Sequence, residues 1–93
     1  MTKYESVIII NPSVEEETIK GLISKFTDMI NANGKLEKVE ELGKRKLAYE
    51  IKKNKEAYYV VLYFEAETEV VTELERNYRI LDEVIKFMTI KAN

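Results

Sequence analysis

Residues 4 to 10, YESVIII, are apolar and β-branched for most of their length, which predicts a buried strand. Asn11-Pro12 ends it, because proline disfavours a helical residue before it. Beyond the break, Ser13 and Glu16 have the spacing of a capping box. Glu15, Glu16 and Glu17 put negative charge where a helix dipole favours it. Val14, Ile19, Leu22, Ile23, Phe26, Met29 and Ile30 recur at three- and four-residue steps, predicting an amphipathic helix over residues 14 to 32. Asn33-Gly34 predicts its end, with Gly34 in a left-handed cap. Gly21 inside this helix costs roughly 1 kcal/mol against alanine; close packing on a sheet is one reason to keep it.

Residues 36 to 51 are long for one strand, and Gly43 predicts a bulge or bend in the middle. Beyond it the alternation is clean: Arg45, Leu47, Tyr49 and Ile51 point one way, and Lys44, Lys46, Ala48 and Glu50 the other. KKNKE reads as a polar turn centred on Asn54. Residues 58 to 66, YYVVLYFEA, form the strongest predicted strand, with Tyr58, Val60, Leu62 and Phe64 on one face and Tyr59, Val61 and Tyr63 on the other. Thr68 is the expected N-cap of a second helix. Its buried stripe is Val70 or Val71, Leu74, Tyr78 and Leu81. VIKFMTIK, residues 84 to 91, closes the pattern as a last strand.

The order β-α-β-β-α-β predicts a single α+β domain over residues 1–93. It is the ferredoxin-like arrangement, a four-stranded antiparallel sheet with two helices on one face. The other face has no helix, yet residues 58 to 66 are apolar on both sides. A partner, RNA, a second copy, or surface tyrosines tolerated for their own sake would each account for this.

Composition narrows the chemistry. The chain has 93 residues, 45% hydrophobic and 34% charged, with net charge −2. That is a globular balance, and any RNA affinity must come from a local patch or a basic partner. There is no cysteine and no histidine. This removes disulfides, thiol chemistry, Cys/His zinc sites and the usual general base near neutral pH. The apolar runs VIII and YYVVLYF are far short of a membrane span, and the N-terminus carries no signal-peptide pattern. Glu40-Glu41 and Asp82-Glu83 are neighbours, and neighbours on a strand face opposite sides, so they do not converge on one substrate. The glycines at 21, 34 and 43 are too scattered for a phosphate loop. No catalytic site, cofactor, metal or small-molecule substrate is expected.

The segment ELGKRKLAYEIKKNK stands out from this background. From Lys44 to Lys55 it holds six basic residues and one acidic one. Lysines and arginines of this kind supply phosphate contacts; they also blunt an exposed strand edge against aggregation. On charge alone the two readings weigh equally. Tyr59 and Tyr63 would share the open face, where related topologies stack RNA bases. However, KEAYYVVLYF lacks the glycine positions of the RNA-recognition consensus.

KYESVIIINP, VEELGKRKLAYEI and RILDEVIKFMTIK together resemble the bacterial small-subunit ribosomal protein six family, over essentially the whole chain. Tyr4-Glu5, Pro12, Gly34, Gly43, the basic pair before Leu47-Ala48-Tyr49, Ile51, Tyr59 and Arg79 stand where that family has them. Two positions depart, with Glu50 where proline is frequent and Ala57 where glycine is frequent. The chain also lacks the acidic C-terminal extension of some members.

The resemblance implies a structural, cytoplasmic role in the small ribosomal subunit. The protein would bind the central domain of 16S ribosomal RNA together with ribosomal protein eighteen of that subunit. A basic partner would explain how an acidic chain sits on RNA. Arg45, Tyr49, Tyr59 and Tyr63 are the expected partner-facing residues, taking Arg45 and Tyr49 to lie on the open face. Lys3, Lys44, Lys46, Arg79 and Lys86 are the expected phosphate contacts, with Lys52, Lys53 and Lys55 ranked below them. The competing class is a homo-oligomeric ferredoxin-like ligand-binding or regulatory module whose open face pairs with a second copy. An enzyme on the same fold would need a phosphate cradle after the first strand, where NPSVEE offers proline and carboxylates.

Overall fold

The apolar run at the start of the chain forms β1 (Thr2–Ile10) in the computed structural model, which describes residues 1–92. It is followed by α1 (Glu16–Asn33), β2 (Lys35–Ile51), β3 (Asn54–Ala66), α2 (Thr68–Ile80) and β4 (Val84–Lys91). The strands make one antiparallel sheet in the order β2-β3-β1-β4. Both helices cover the same face, as the ferredoxin-like arrangement requires.

Strand alternation sorts the core. Tyr4, Ser6, Ile8 and Ile10 of β1, with Val60, Leu62, Phe64 and Ala66 of β3, turn toward the helices and are buried. The helical spacing of Ile19, Leu22, Phe26 and Ile30 delivers one stripe of α1 to this surface. Leu74 and Tyr78, one turn apart, do the same from α2. The Tyr78 ring meets Phe26 edge-on, with centroids 4.8 Å apart, and lies 5.2 Å from Phe87. A buried phenol needs a polar partner. Its hydroxyl shares a hydrogen bond with Ser6 Oγ at 2.9 Å, and Ser6 Oγ lies 3.0 Å from Thr89 Oγ1. One short polar chain therefore ties α2 to β1 and β4 inside the apolar layer. Burial pushes the Tyr78 phenol far above its ordinary range, and the Ser6 hydrogen bond only partly opposes this.

Several element ends depart from expectation. The helix α1 starts at Glu16 rather than residue 14, and Ser13 does not cap it. Asn11 Oδ1 instead accepts from Ser13 N at 2.9 Å and from Ser13 Oγ at 2.7 Å, while Val14 N donates to Asn11 O at 3.1 Å. Residues 11 to 14 are a proline-led turn that takes up the serine. In α2 the cap position is Glu67 and Thr68 is already helical, its hydroxyl 3.5 Å from that of Tyr4.

Gly34 is extended, with φ −162°, not left-handed. Its reason is proximity: a Cβ there would lie 2.6 Å from Glu65 O and 2.9 Å from Ala66 Cβ. At Gly21 a Cβ would meet nothing within 4 Å, so close packing does not explain that glycine. Gly43 is the expected bulge, with φ +78° and a register slip between Glu41 and Gly43. The following turn is not centred on Asn54. Ile51 pairs with Asn54, and Lys52 and Lys53 form a two-residue turn with φ 50° and 67°. Two positive φ values mark a type I′ hairpin. As a result β3 begins four residues before Tyr58.

The two helix-associated glycines should respond to alanine in opposite directions. Gly34→Ala is expected to cost roughly 1–3 kcal/mol, because backbone must move. Gly21→Ala should gain roughly 0.5–1 kcal/mol. Urea melts of both variants check the pair. The neutral Tyr78 phenol sets a pH limit as well. Its folded pKa lies above the unfolded value, so its contribution is intact below pH 10 and is lost as pH rises beyond it. Tyr78→Phe should cost about 1 kcal/mol at neutral pH and make the alkaline fall in stability shallower than in wild type. An unchanged alkaline slope would contradict this role.

Candidate nucleic-acid and partner interface

The sheet register builds the uncovered face. Glu5, Val7 and Ile9 of β1 lie beside Tyr63, Val61 and Tyr59 of β3. Ile90, Met88 and Lys86 of β4 flank the same β1 residues on the other side. Val61 is 7% exposed, whereas Met88 is 56% and Ile90 47% exposed. The centre is thus apolar, and charge sits at the rim. At one rim Tyr63 donates to Glu40 Oε1 at 3.1 Å, with Lys38 Nζ 5.5 Å from the Tyr63 ring centre and 3.3 Å from Glu40. The hydrogen bond to Glu40, aided by desolvation, raises the Tyr63 phenol above its ordinary pKa.

Arg45 pairs with Ala57, which alternates with Tyr59, so Arg45 lies on this face; its Nε donates to Leu42 O at 3.2 Å across the bulge. Tyr49 reaches the face from the hairpin, where its hydroxyl accepts from Lys86 Nζ at 3.1 Å. The four residues expected to face a partner therefore share one surface. Met88 and Ile90 were missing from that set. The signal was present in VIKFMTIK, whose alternation separates them from Phe87 and Thr89.

The five expected phosphate contacts do not share one surface. Lys44 pairs with Tyr58 and Lys46 with Glu56, which puts both on the helix side of β2. Lys44 borders a depression with Pro12, Val14 and Glu16 near the start of α1. Arg79, in the last turn of α2, stands 5.4 Å from the Phe87 ring centre, and Lys86 stands 5.6 Å from that of Tyr49. Lys3 is 3.9 Å from Glu37. It lies six residues along β1 from Ile9, the neighbour of Lys86, so about 20 Å of strand separates them. Among the described residues, no ion pair engages any of the six cations between Lys44 and Lys55.

One cleft on the helical side has the opposite character. A cleft of about 520 Å³ between α1 and α2 is lined by Met29, Val70, Glu67, Glu69 and Glu73, with no cation among its described residues. Such a surface repels a phosphate backbone. Among the described residues no group of His, Cys, Asp or Glu is arranged to hold a metal ion, and no helix is long and apolar enough to cross a membrane.

Residues 3–91 match the family model of ribosomal protein S6. The chain belongs to that family. Small ribosomal subunit protein bS6 of Clostridium botulinum strain 657 is 50% identical over 91 residues, which cover 97% of each chain. The bS6 protein of Heliobacterium modesticaldum is 42% identical over 94 residues, covering 100% of this chain and 98% of the relative. The crystal structure of 30S ribosomal protein S6 from Thermotoga maritima superposes with a TM-score of 0.92 at 41% identity, covering 98% of this chain and 87% of that one. The chain is accordingly a small-subunit ribosomal protein of the cytoplasmic ribosome, and it is not an enzyme.

Proposed function

We propose that the chain binds the central domain of 16S ribosomal RNA together with ribosomal protein eighteen of the small subunit, using separate surfaces for each. The observation that carries this reading is the segregation of charge and apolar area on one small domain. The hairpin cations lack ion-pair partners among the described residues, although the chain as a whole is acidic. Cations left unpaired are available for phosphates, and releasing RNA counterions favours such contacts. Lys44, Lys46, Arg79 and Lys86 are the assigned RNA contacts. Lys3 is assigned to a second, distant contact.

The open face is assigned to the protein partner. Val7, Val61, Met88 and Ile90 supply an apolar centre, and Arg45, Tyr49, Tyr59 and Tyr63 surround it. An apolar centre with an aromatic and charged border is the composition of a protein interface rather than of a phosphate-binding surface. A basic partner seated there would also add positive charge beside the hairpin, strengthening the joint attraction for RNA.

A filter-binding titration of central-domain RNA tests the reading. RNA retention at physiological salt should require this protein and the basic partner together. Met88→Glu should leave folding stability within about 0.5 kcal/mol yet abolish joint binding. Undiminished joint binding by that variant would rule out the open face as the partner surface. A stable homodimer in sedimentation of the free protein would favour the homo-oligomeric module instead.

A further inference from the structure

The hairpin tip is built against the preference of its own residues. A two-residue turn with positive φ at both central positions favours Asn-Gly. Lys52 and Lys53 occupy those positions, in a backbone region that residues bearing a Cβ avoid. Beyond the Ile51–Asn54 ladder pair, Asn54 Nδ2 adds only a long side-chain hydrogen bond to Lys52 O, at 3.4 Å. Strain of this kind persists where the surrounding structure holds it, and it concentrates at functional sites.

Lys52 is exposed, and it sits at the border of a surface depression. It lines a notch of about 310 Å³ with Arg79 and Lys86, over Val84 and Phe87. Three separate segments thus supply one cation each: the hairpin tip, the last turn of α2, and β4. Two of the cations are held by aromatic side chains. Arg79 lies over Phe87, and Lys86 donates to the Tyr49 hydroxyl at 3.1 Å. Such contacts restrict the side chains before an anion arrives, so less freedom is lost on binding. Among the described residues no carboxylate lines the notch. Glu75 is 4.0 Å from Arg79, an ion pair whose arginine is largely exposed and which competes weakly.

We propose that this notch seats the phosphodiester backbone of the bound RNA, with Lys52, Arg79 and Lys86 along its border. The two-lysine turn is kept, despite its strain, because it brings Lys52 to the notch. This assignment rests on the reading that the chain binds ribosomal RNA, and it raises Lys52 above its initial rank.

The test uses the full chain with its basic partner and central-domain RNA, titrated over a salt series. Lys52→Asn combined with Lys53→Gly installs the preferred turn residues and removes the tip charge. The double variant should melt at a higher temperature than wild type. Its RNA affinity should fall about tenfold, as for loss of a charged hydrogen bond. The dependence of log K on log salt should become shallower by about one unit. Lost folding cannot explain weaker binding by a more stable protein. Lys53→Gly alone retains the notch and should keep nearly wild-type affinity. Wild-type affinity and salt slope in the double variant would overturn the proposal, as would an equal loss in Lys53→Gly alone. If wild-type protein with its partner fails to bind the RNA at all, the underlying functional reading fails instead.

Discussion

A strand that is apolar on both faces needs cover on both sides, and two helices can cover only one side of this sheet. Most of the molecule's behaviour follows from that constraint. β3 turns Val60, Leu62, Phe64 and Ala66 toward α1 and α2, where they meet Phe26, Ile30, Leu74 and Tyr78. The same strand turns Tyr59, Val61 and Tyr63 the other way, beside Val7, Ile9, Met88 and Ile90. The first set is the core. The second set leaves an apolar surface that includes exposed Met88 and Ile90, which would gain from burial that the domain itself does not provide, and this is why we assign it to a partner.

Charge is divided as unequally as apolar surface. Three carboxylates, Glu67, Glu69 and Glu73, collect at the cleft between the helices. Cations collect on the β2–β3 hairpin, which extends past the paired end of β1 and leans toward β4, so that Lys52 comes near Arg79 and Lys86. In the proposed reading, an acidic domain presents its basic hairpin edge to RNA while the acidic cleft between the helices faces away. On that reading the division also separates the two binding tasks. The open face needs shape and apolar contact; the hairpin needs only positive charge in the right places.

The fold was readable because each element carried its own period. Ile19, Leu22, Phe26 and Ile30 recur with the helical turn, and YYVVLYFEA alternates as a strand. Gly43 announced the bulge, since an isolated glycine in a strand has few other uses. The element ends were less legible. Ser13 and Thr68 are good caps by type, but nearby groups claimed them: Asn11 holds Ser13, and Thr68 stands beside Tyr4. Gly34 resembled a left-handed cap, yet its constraint is the approach of β3, a contact between distant segments. The hairpin tip was misplaced for a related reason. Lys-Lys is not a turn signal, and only the pairing of Ile51 with Asn54 reveals where the chain reverses. The face occupied by Arg45 depended on its own pairing with Ala57, since alternation alone gives two sides without saying which one the helices cover.

The account depends most on the open sheet face being the docking surface, with the helical face left free. Methyl chemical shifts, recorded as the basic partner is added to the folded protein, report on this directly. The expected result is that shifts concentrate on Val7, Val61, Met88 and Ile90, while Ile23, Met29 and Val70 on the helical side stay unchanged. Shifts confined to the helical side, with the open face unaffected, would contradict the account.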